Sequence, residues 1–372
     1  METERRLGEE NFPNIETARN EAHLIQDRIR EETDEVKQNE LRHYFSEGEN
    51  VFENVIPEMI HTSMFVELPP EYREGQSEGK ALEALLTQEE DGETVLDVLA
   101  KNKISLSIAM QEGFDTDPKM VEMFKLLNER GITPTLWVVL DDKLGYWTNK
   151  ANAVETVQKI EKILDWAKEN GIDTNKIGLD YEPPIEFFKG LYNFNLPKII
   201  REGLEYARKS KENKKQLGNI QKYIDTELER IVGKYGVKIE TYAGMEPLRS
   251  ISNWLTLRPN KNAQIVTMAY TSTVTKDNKG IDYVTSKVAS NEIPATGILG
   301  KDPTKTPGRQ LIEKQKLERH LTYDQLVYNL NRLWFGEKTL LRPFRVHNVF
   351  ALDSIETLNQ LVQARKEAPR VD

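Results

Sequence analysis

Lys176-Ile-Gly-Leu-Asp-Tyr-Glu-Pro-Pro184 is a short apolar run that ends in two acids and is then stopped by two prolines. Side chains alternate along a strand, so Gly178, Asp180 and Glu182 share one face while Ile177, Leu179 and Tyr181 share the other. The apolar face has to meet other apolar groups. The acids are then left on the opposite face, at the end where the strand stops. A strand that is apolar over most of its length and ends in acids fits a parallel sheet covered by helices, with the functional groups at the C-terminal strand ends.

Seven further runs of the same kind lie before and after it. Candidate strands are Ser63 to Leu68, Ile104 to Met110, Thr135 to Leu140, Ile177 to Tyr181, Lys238 to Ala243, Gln264 to Tyr270, Ala295 to Leu299 and Val346 to Leu352. Helical patterns fall between them. Met120 to Arg130 stops at Gly131, and Ala153 to Asn170 stops at Gly171, where glycine supplies the left-handed residue that ends a helix. Ile160, Ile163, Leu164 and Ala167 fall on one face of the second, which suits a helix lying on a sheet. Ile355 to Ala364 reads as a closing helix.

Eight such units predict an α/β chain folded as a (β/α)8 TIM barrel, and no glycine-rich phosphate turn of the G-x-G-x-x-G or G-x-x-x-x-G-K kind argues for an open dinucleotide-binding sheet. The expected division is an acidic helical N-terminal arm over residues 1–57 and a barrel over 58–372. Residues 183–236 form a helical insertion after the fourth strand. Phe187, Phe188, Leu191, Tyr192 and Phe194 open that insertion on the active face, either as a sugar-stacking cluster or as a small core. The stretch Lys209 to Lys215 reads as a solvated helix face or loop. Gly300 to Gly308, with its prolines, reads as a rim loop or lid.

Composition narrows the partners. The chain has 372 residues, 38% hydrophobic, with 51 basic and 61 acidic residues and a net charge of -10. That is enough apolar material for a substantial core, and the negative balance disfavours nucleic acid. With no cysteine, disulfides, thiolate metal sites and a cysteine nucleophile are excluded. No run of apolar residues is long enough to span a membrane, and the first residues contain no apolar stretch of the signal-peptide kind. The compartment stays open between cytoplasm and export with a leader already removed. The oligomeric state is equally open.

Asp180 and Glu182 are the first candidates for chemistry. Repulsion between them and partial burial would raise the pKa of one, which is how a carboxyl stays protonated as a general acid. The same alternation puts Met268 and Tyr270 together at the end of the sixth strand, with the Tyr270 hydroxyl at the height of Glu182. Asp141, Tyr146 and Trp147 follow the third strand, Glu246 follows the fifth and Asp353 the eighth. Each of these acids could equally cap a helix or pair in a loop; Asp353 sits where Asp or Ser would start the final helix.

The order of these features resembles the chitinase-like glycoside hydrolases of family eighteen, whose fourth strand carries D-x-x-D-x-D-x-E and whose sixth carries M-x-Y-D. Here the fourth strand reads Asn175 to Glu182 and the sixth Met268-Ala-Tyr-Thr271. The resemblance implies that Glu182 is the general acid, that Asp180 orients and stabilises a substrate acetamide, and that Tyr270 holds the reaction intermediate. It implies a carbohydrate substrate and no cofactor or metal. Asn175 and Gly178 stand in place of two Asp residues of the pattern, Thr271 in place of a third, and the third strand has no S-x-G-G. Tyr181-Glu182-Pro183 also resembles retaining glycosidases with Asn-Glu-Pro on the fourth strand. Those need a second carboxylate on the seventh, where this chain reads Thr296-Gly-Ile-Leu-Gly300.

Three expectations remain. The first is a glycoside hydrolase-like enzyme, acting through Glu182 on N-acetylated amino-sugar polymers or a related glycan. A barrel that binds carbohydrate or protein without catalysis is the second. The third is a metal-dependent isomerase or lyase using Glu182, Glu246 and Asp353.

Overall fold

A parallel sheet leaves no edge exposed only when it closes on itself, and this one does. The computed structural model describes residues 61–68, 75–182, 196–244, 256–268, 293–297, 323–335 and 347–368. In chain order the strands are β1 (Thr62–Val66), β2 (Glu89–Glu90), β3 (Glu93–Thr94), β4 (Ile104–Met110) and β5 (Thr135–Val138), then β6 (Lys176–Asp180), β7 (Lys238–Gly244), β8 (Gln264–Met268), β9 (Ile293–Gly297) and β10 (His347–Phe350). β2 and β3 form a small antiparallel hairpin outside the barrel, which the sequence pattern did not predict. The other eight close in the order β1, β4, β5, β6, β7, β8, β9, β10, with every neighbouring pair parallel. The protein is a (β/α)8 TIM barrel, and each of the eight predicted runs contains or overlaps one of these strands.

The described helices are α1 (Glu78–Leu86), α2 (Val95–Lys101), α3 (Pro118–Glu129), α4 (Ala153–Glu169), α5 (Leu196–Leu217), α6 (Ile220–Tyr235), α7 (Tyr323–Phe335) and α8 (Ile355–Glu367). In α4, Val157, Ile160, Ile163, Leu164 and Ala167 are all buried, and Gly171 just past its end takes a φ of 64°. Ile177, Leu179 and Tyr181 of the β6 run join this helix layer, together with Ile224, Leu228 and Ile231 of α6. Each aliphatic side chain buried there contributes about 1.5–3 kcal/mol. The layer is one continuous apolar belt between sheet and helices, and it holds the barrel in register.

The described part of the segment between β6 and β7 is helical, and its two described helices have different roles. α6 packs on α4 and supplies the helix layer opposite β6 and β7, so it is the barrel's own helix at that position. α5, which carries the Lys209 to Lys215 stretch, is the addition. The predicted arm over residues 1–57 and its boundary, the aromatic cluster from Phe187 to Phe194 and the loop Gly300 to Gly308 lie outside the described residues. Among the described residues no helix is long and apolar enough to cross a membrane.

Candidate functional site

The inward face of the strands is built in tiers. Phe65, Trp137 and Tyr242, from β1, β5 and β7, meet edge to face, with Phe65 at 4.8 Å from Tyr242 and 5.4 Å from Trp137 between ring centroids. Ala109, Val139, Val266, Ile293 and Ala295 complete this plug, with Met268 and Phe350 packed against it. An aromatic plug of this kind makes the barrel a filled core and confines any ligand to its ends.

Below the plug, Lys176 donates to the buried Glu240 carboxylate at 2.8 Å. The Tyr242 hydroxyl lies 3.4 Å from the other Glu240 oxygen and 2.6 Å from Ser107 Oγ. Tyr242 also explains one departure from the motif of the fourth strand. A Cβ built on Gly178 would stand 2.3 Å from the Tyr242 hydroxyl, so the ring fills the space that an acid would need there.

Above the plug, β6 ends as its alternation requires: Ile177 and Leu179 in the helix layer, Asp180 and Glu182 on the other face. Asp180 is 5% exposed, and its Oδ1 has no hydrogen-bond partner among the described residues. The indole N–H of Trp137, on the neighbouring strand, is likewise buried and without a partner among them. Burial pushes the Asp180 carboxyl well above the usual carboxylate range, and the negative charges of Glu182 and Glu67 add to it. Glu182 is partly exposed, and burial pushes it up to about 7. Burial thus favours the protonated form of both carboxyls.

The loop after β5 is fixed against this pair. Thr148 N–H donates to the Asp180 carbonyl at 2.8 Å and extends the sheet by a bridge to Tyr181. The side-chain amides of Asn149 and Asn152 both donate to the Trp147 carbonyl at 2.8 Å. Held in this way, Tyr146 adopts a φ of 61° and Trp147 stands edge-on to it at 5.7 Å. The buried Tyr146 hydroxyl reaches across the rim to Glu67 Oε1 at 2.5 Å.

The other predicted site residues have varied placements. Met268 packs on the plug from β8. Asp141 accepts from the Lys143 N–H at 2.8 Å and starts a single 3-10 turn, and this bond is the first cause of its lowered pKa. Asp353 accepts from the Thr357 hydroxyl at 2.6 Å beside Ser354, which caps α8, so it serves the start of that helix. Tyr270 and Glu246 lie outside the described residues. Among those described, no group of three or more His, Asp or Glu side chains is placed to hold a metal ion.

Glu67, Trp137 and Tyr242 were missed at the sequence level. Glu67 was recoverable, since it follows the inward Phe65 by two residues and so lies on the same face. A cleft of about 460 Å³ lined by Lys222, Asp225, Arg258 and Asn260 lies between the start of α6 and the segment before β8. Within it Asn260 donates to Asp225 at 2.9 Å, and the Arg258 backbone N–H donates to the Gln221 side chain at 2.8 Å.

No protein-family profile matches the chain, and no curated protein matches it in sequence. Solved structures that overlay on it include the xylose isomerase domain protein of Planctomyces limnophilus, at 11% identity and a TM-score of 0.40, over 84% of this chain and 99% of that one. A chitinase from Rhizomucor miehei overlays at 13% identity and a TM-score of 0.39, over 82% and 99%. A Group IV chitinase of Ostrinia furnacalis, solved with allosamidin, overlays at 9% identity and a TM-score of 0.44, over 83% and 99%. With nearly all aligned positions different, these overlaps concern the path of the backbone and not the side chains that do chemistry.

Proposed function

We propose that the mouth of this barrel hydrolyses a glycosidic bond, with Glu182 as general acid and Asp180 as its proton-sharing partner. The observation that carries this reading is the end of β6. Two carboxyls share one face at the C-terminal end of a barrel strand, one buried and one partly open to solvent, with Glu182 pushed up to about 7. A carboxyl in that range still holds its proton at neutral pH and can give it to a leaving oxygen. Asp180 Oδ1 and the Trp137 N–H supply a polar floor whose hydrogen-bonding capacity is unused among the described residues. Tyr146 and Trp147 offer an aromatic edge against which a sugar ring can lie.

No acid ends the β9 run, so attack falls to water or to a group of the substrate itself. Tyr270 is the hydroxyl proposed to steady the intermediate, and Met268 and Asp141 line the approach. Asp353 serves the start of α8 and takes no part in the proposed reaction. The resemblance of the fourth and sixth strands makes N-acetylated amino-sugar polymers the first substrates to try.

Glu182→Gln keeps the size of the side chain and removes the transferable proton. It is expected to lower glycan hydrolysis by about 10²–10⁴-fold while fold and glycan binding persist. Equal hydrolysis by wild type and variant across a broad glycan panel would overturn the assignment. A binding barrel without turnover is the second reading, favoured by the Tyr242 ring standing where the family pattern has an acid. Tight glycan binding with no release of reducing ends by the wild type selects it.

A further inference from the structure

We propose that Glu67 is a third acid of the mouth, a positioning residue that the Tyr146 hydroxyl tethers across the rim and that acts through Asp180. This rests on the reading of Asp180 and Glu182 as the working pair. Glu67 comes from the end of β1 and Tyr146 from the loop after β5, so the bond between them passes over β4 and closes that side of the rim. Tyr146 is 7% exposed and its ring packs on the plug, so the tether is built into the core and is not a passing surface contact.

Several acids of the described residues gather near this tether. Asp180, at the end of β6, feels the charges of both Glu182 and Glu67, with the Tyr242 phenol behind it on β7. Asp142 from the same loop and Glu78 from α1 act on Tyr146 together with Glu67. A short hydrogen bond from a buried phenol favours the ionised form of Glu67. The charge so fixed opposes a second charge at Asp180, and the proton stays on the β6 pair. Glu67 thus sets the pH at which Asp180 gives up its proton, without itself touching the bond to be cut.

The test pairs Glu67→Gln with Tyr146→Phe in the full chain, read by carbon-13 titration of the carboxyls and by the pH profile of hydrolysis. Asp180 is assigned by the resonance that Asp180→Asn removes. In Glu67→Gln the Asp180 titration is expected to move toward acid, and the alkaline limb of the pH profile with it. Each unit of that shift changes the rate on the limb by about tenfold. Tyr146→Phe, which loosens the tether but leaves the carboxyl, is expected to shift both in the same direction and by less; it carries the test alone if Glu67→Gln does not fold.

An Asp180 titration that stays in place in both variants overturns the proposal, even if the wild type hydrolyses glycans. A shifted titration in a protein that cleaves no glycan upholds it and removes the glycosidase reading instead.

Discussion

The two ends of the barrel interior solve the same electrostatic problem in opposite ways. At the floor, Glu240 is 3% exposed and its charge is met by Lys176 at 2.8 Å, with Tyr242 and Ser107 completing the set. At the mouth, Asp180 is buried almost as deeply; burial raises its pKa, and among the described residues the charges that add to this are the negative ones of Glu182 and Glu67. A buried charge is tolerated when it is paired, and a buried carboxyl without a cation keeps its proton instead. The floor therefore holds an ion pair, while burial at the mouth favours the protonated carboxyl.

Lys176→Met strikes this contrast hardest. It leaves Glu240 buried without its cation, and a loss of about 3 kcal/mol in unfolding free energy is expected at pH 8. Lys176→Met with Glu240→Leu should recover most of it. Denaturant unfolding of the single and double variants measures this. A variant as stable as the wild type at pH 8 would mean that the floor needs no ion pair, and the contrast between the two ends would fail.

Gly178→Ala attacks the boundary between the tiers. The added methyl would meet the Tyr242 hydroxyl at 2.3 Å, and the ring has the plug behind it, so a loss of about 1–3 kcal/mol is expected. Combining it with Tyr242→Phe should relieve part of the strain, which thermal unfolding can read. An Ala variant of unchanged stability would show that Tyr242 has room to move.

The smallest effect is a sharpening one. The Glu182 pKa is raised from 4.5 to about 7, so the folded state holds more protons than the unfolded state between those values. Its favourable contribution is complete below about pH 4.5 and is lost as pH rises through about 7. Relative to the wild type, Glu182→Gln should therefore gain stability between pH 5 and pH 8. Partial exposure of the side chain limits the gain. A stability difference that does not change with pH would place Glu182 in ordinary solvent.

Much of the fold was legible in the chain, because each barrel strand is a short apolar run and each helix a separate periodic one. The arithmetic of alternation placed Asp180 and Glu182 on the inner face of β6 and Ile177 and Leu179 in the helix layer, as found. The hairpin of β2 and β3 was not legible, since Glu89, Glu90, Glu93 and Thr94 have no apolar alternation to announce a strand. Asp141 and Asp353 were legible only as acids near strand ends. Their hydrogen bonds to Lys143 and Thr357 belong to local turns that the residue type alone leaves undecided.

The sequence by itself determined the number of barrel strands, the helices α3, α4 and α8 and the face on which the β6 acids stand, because these depend on residues within one or two turns of the chain. Only the closed barrel decided what those acids meet. Glu67 and Tyr146 are 79 positions apart, and Ser107 and Tyr242 are 135 apart; no local pattern links either pair. They become neighbours when the strands close into a ring, and a charge that adds to the burial of Asp180 and the ring that excludes a side chain at Gly178 both come from that closure.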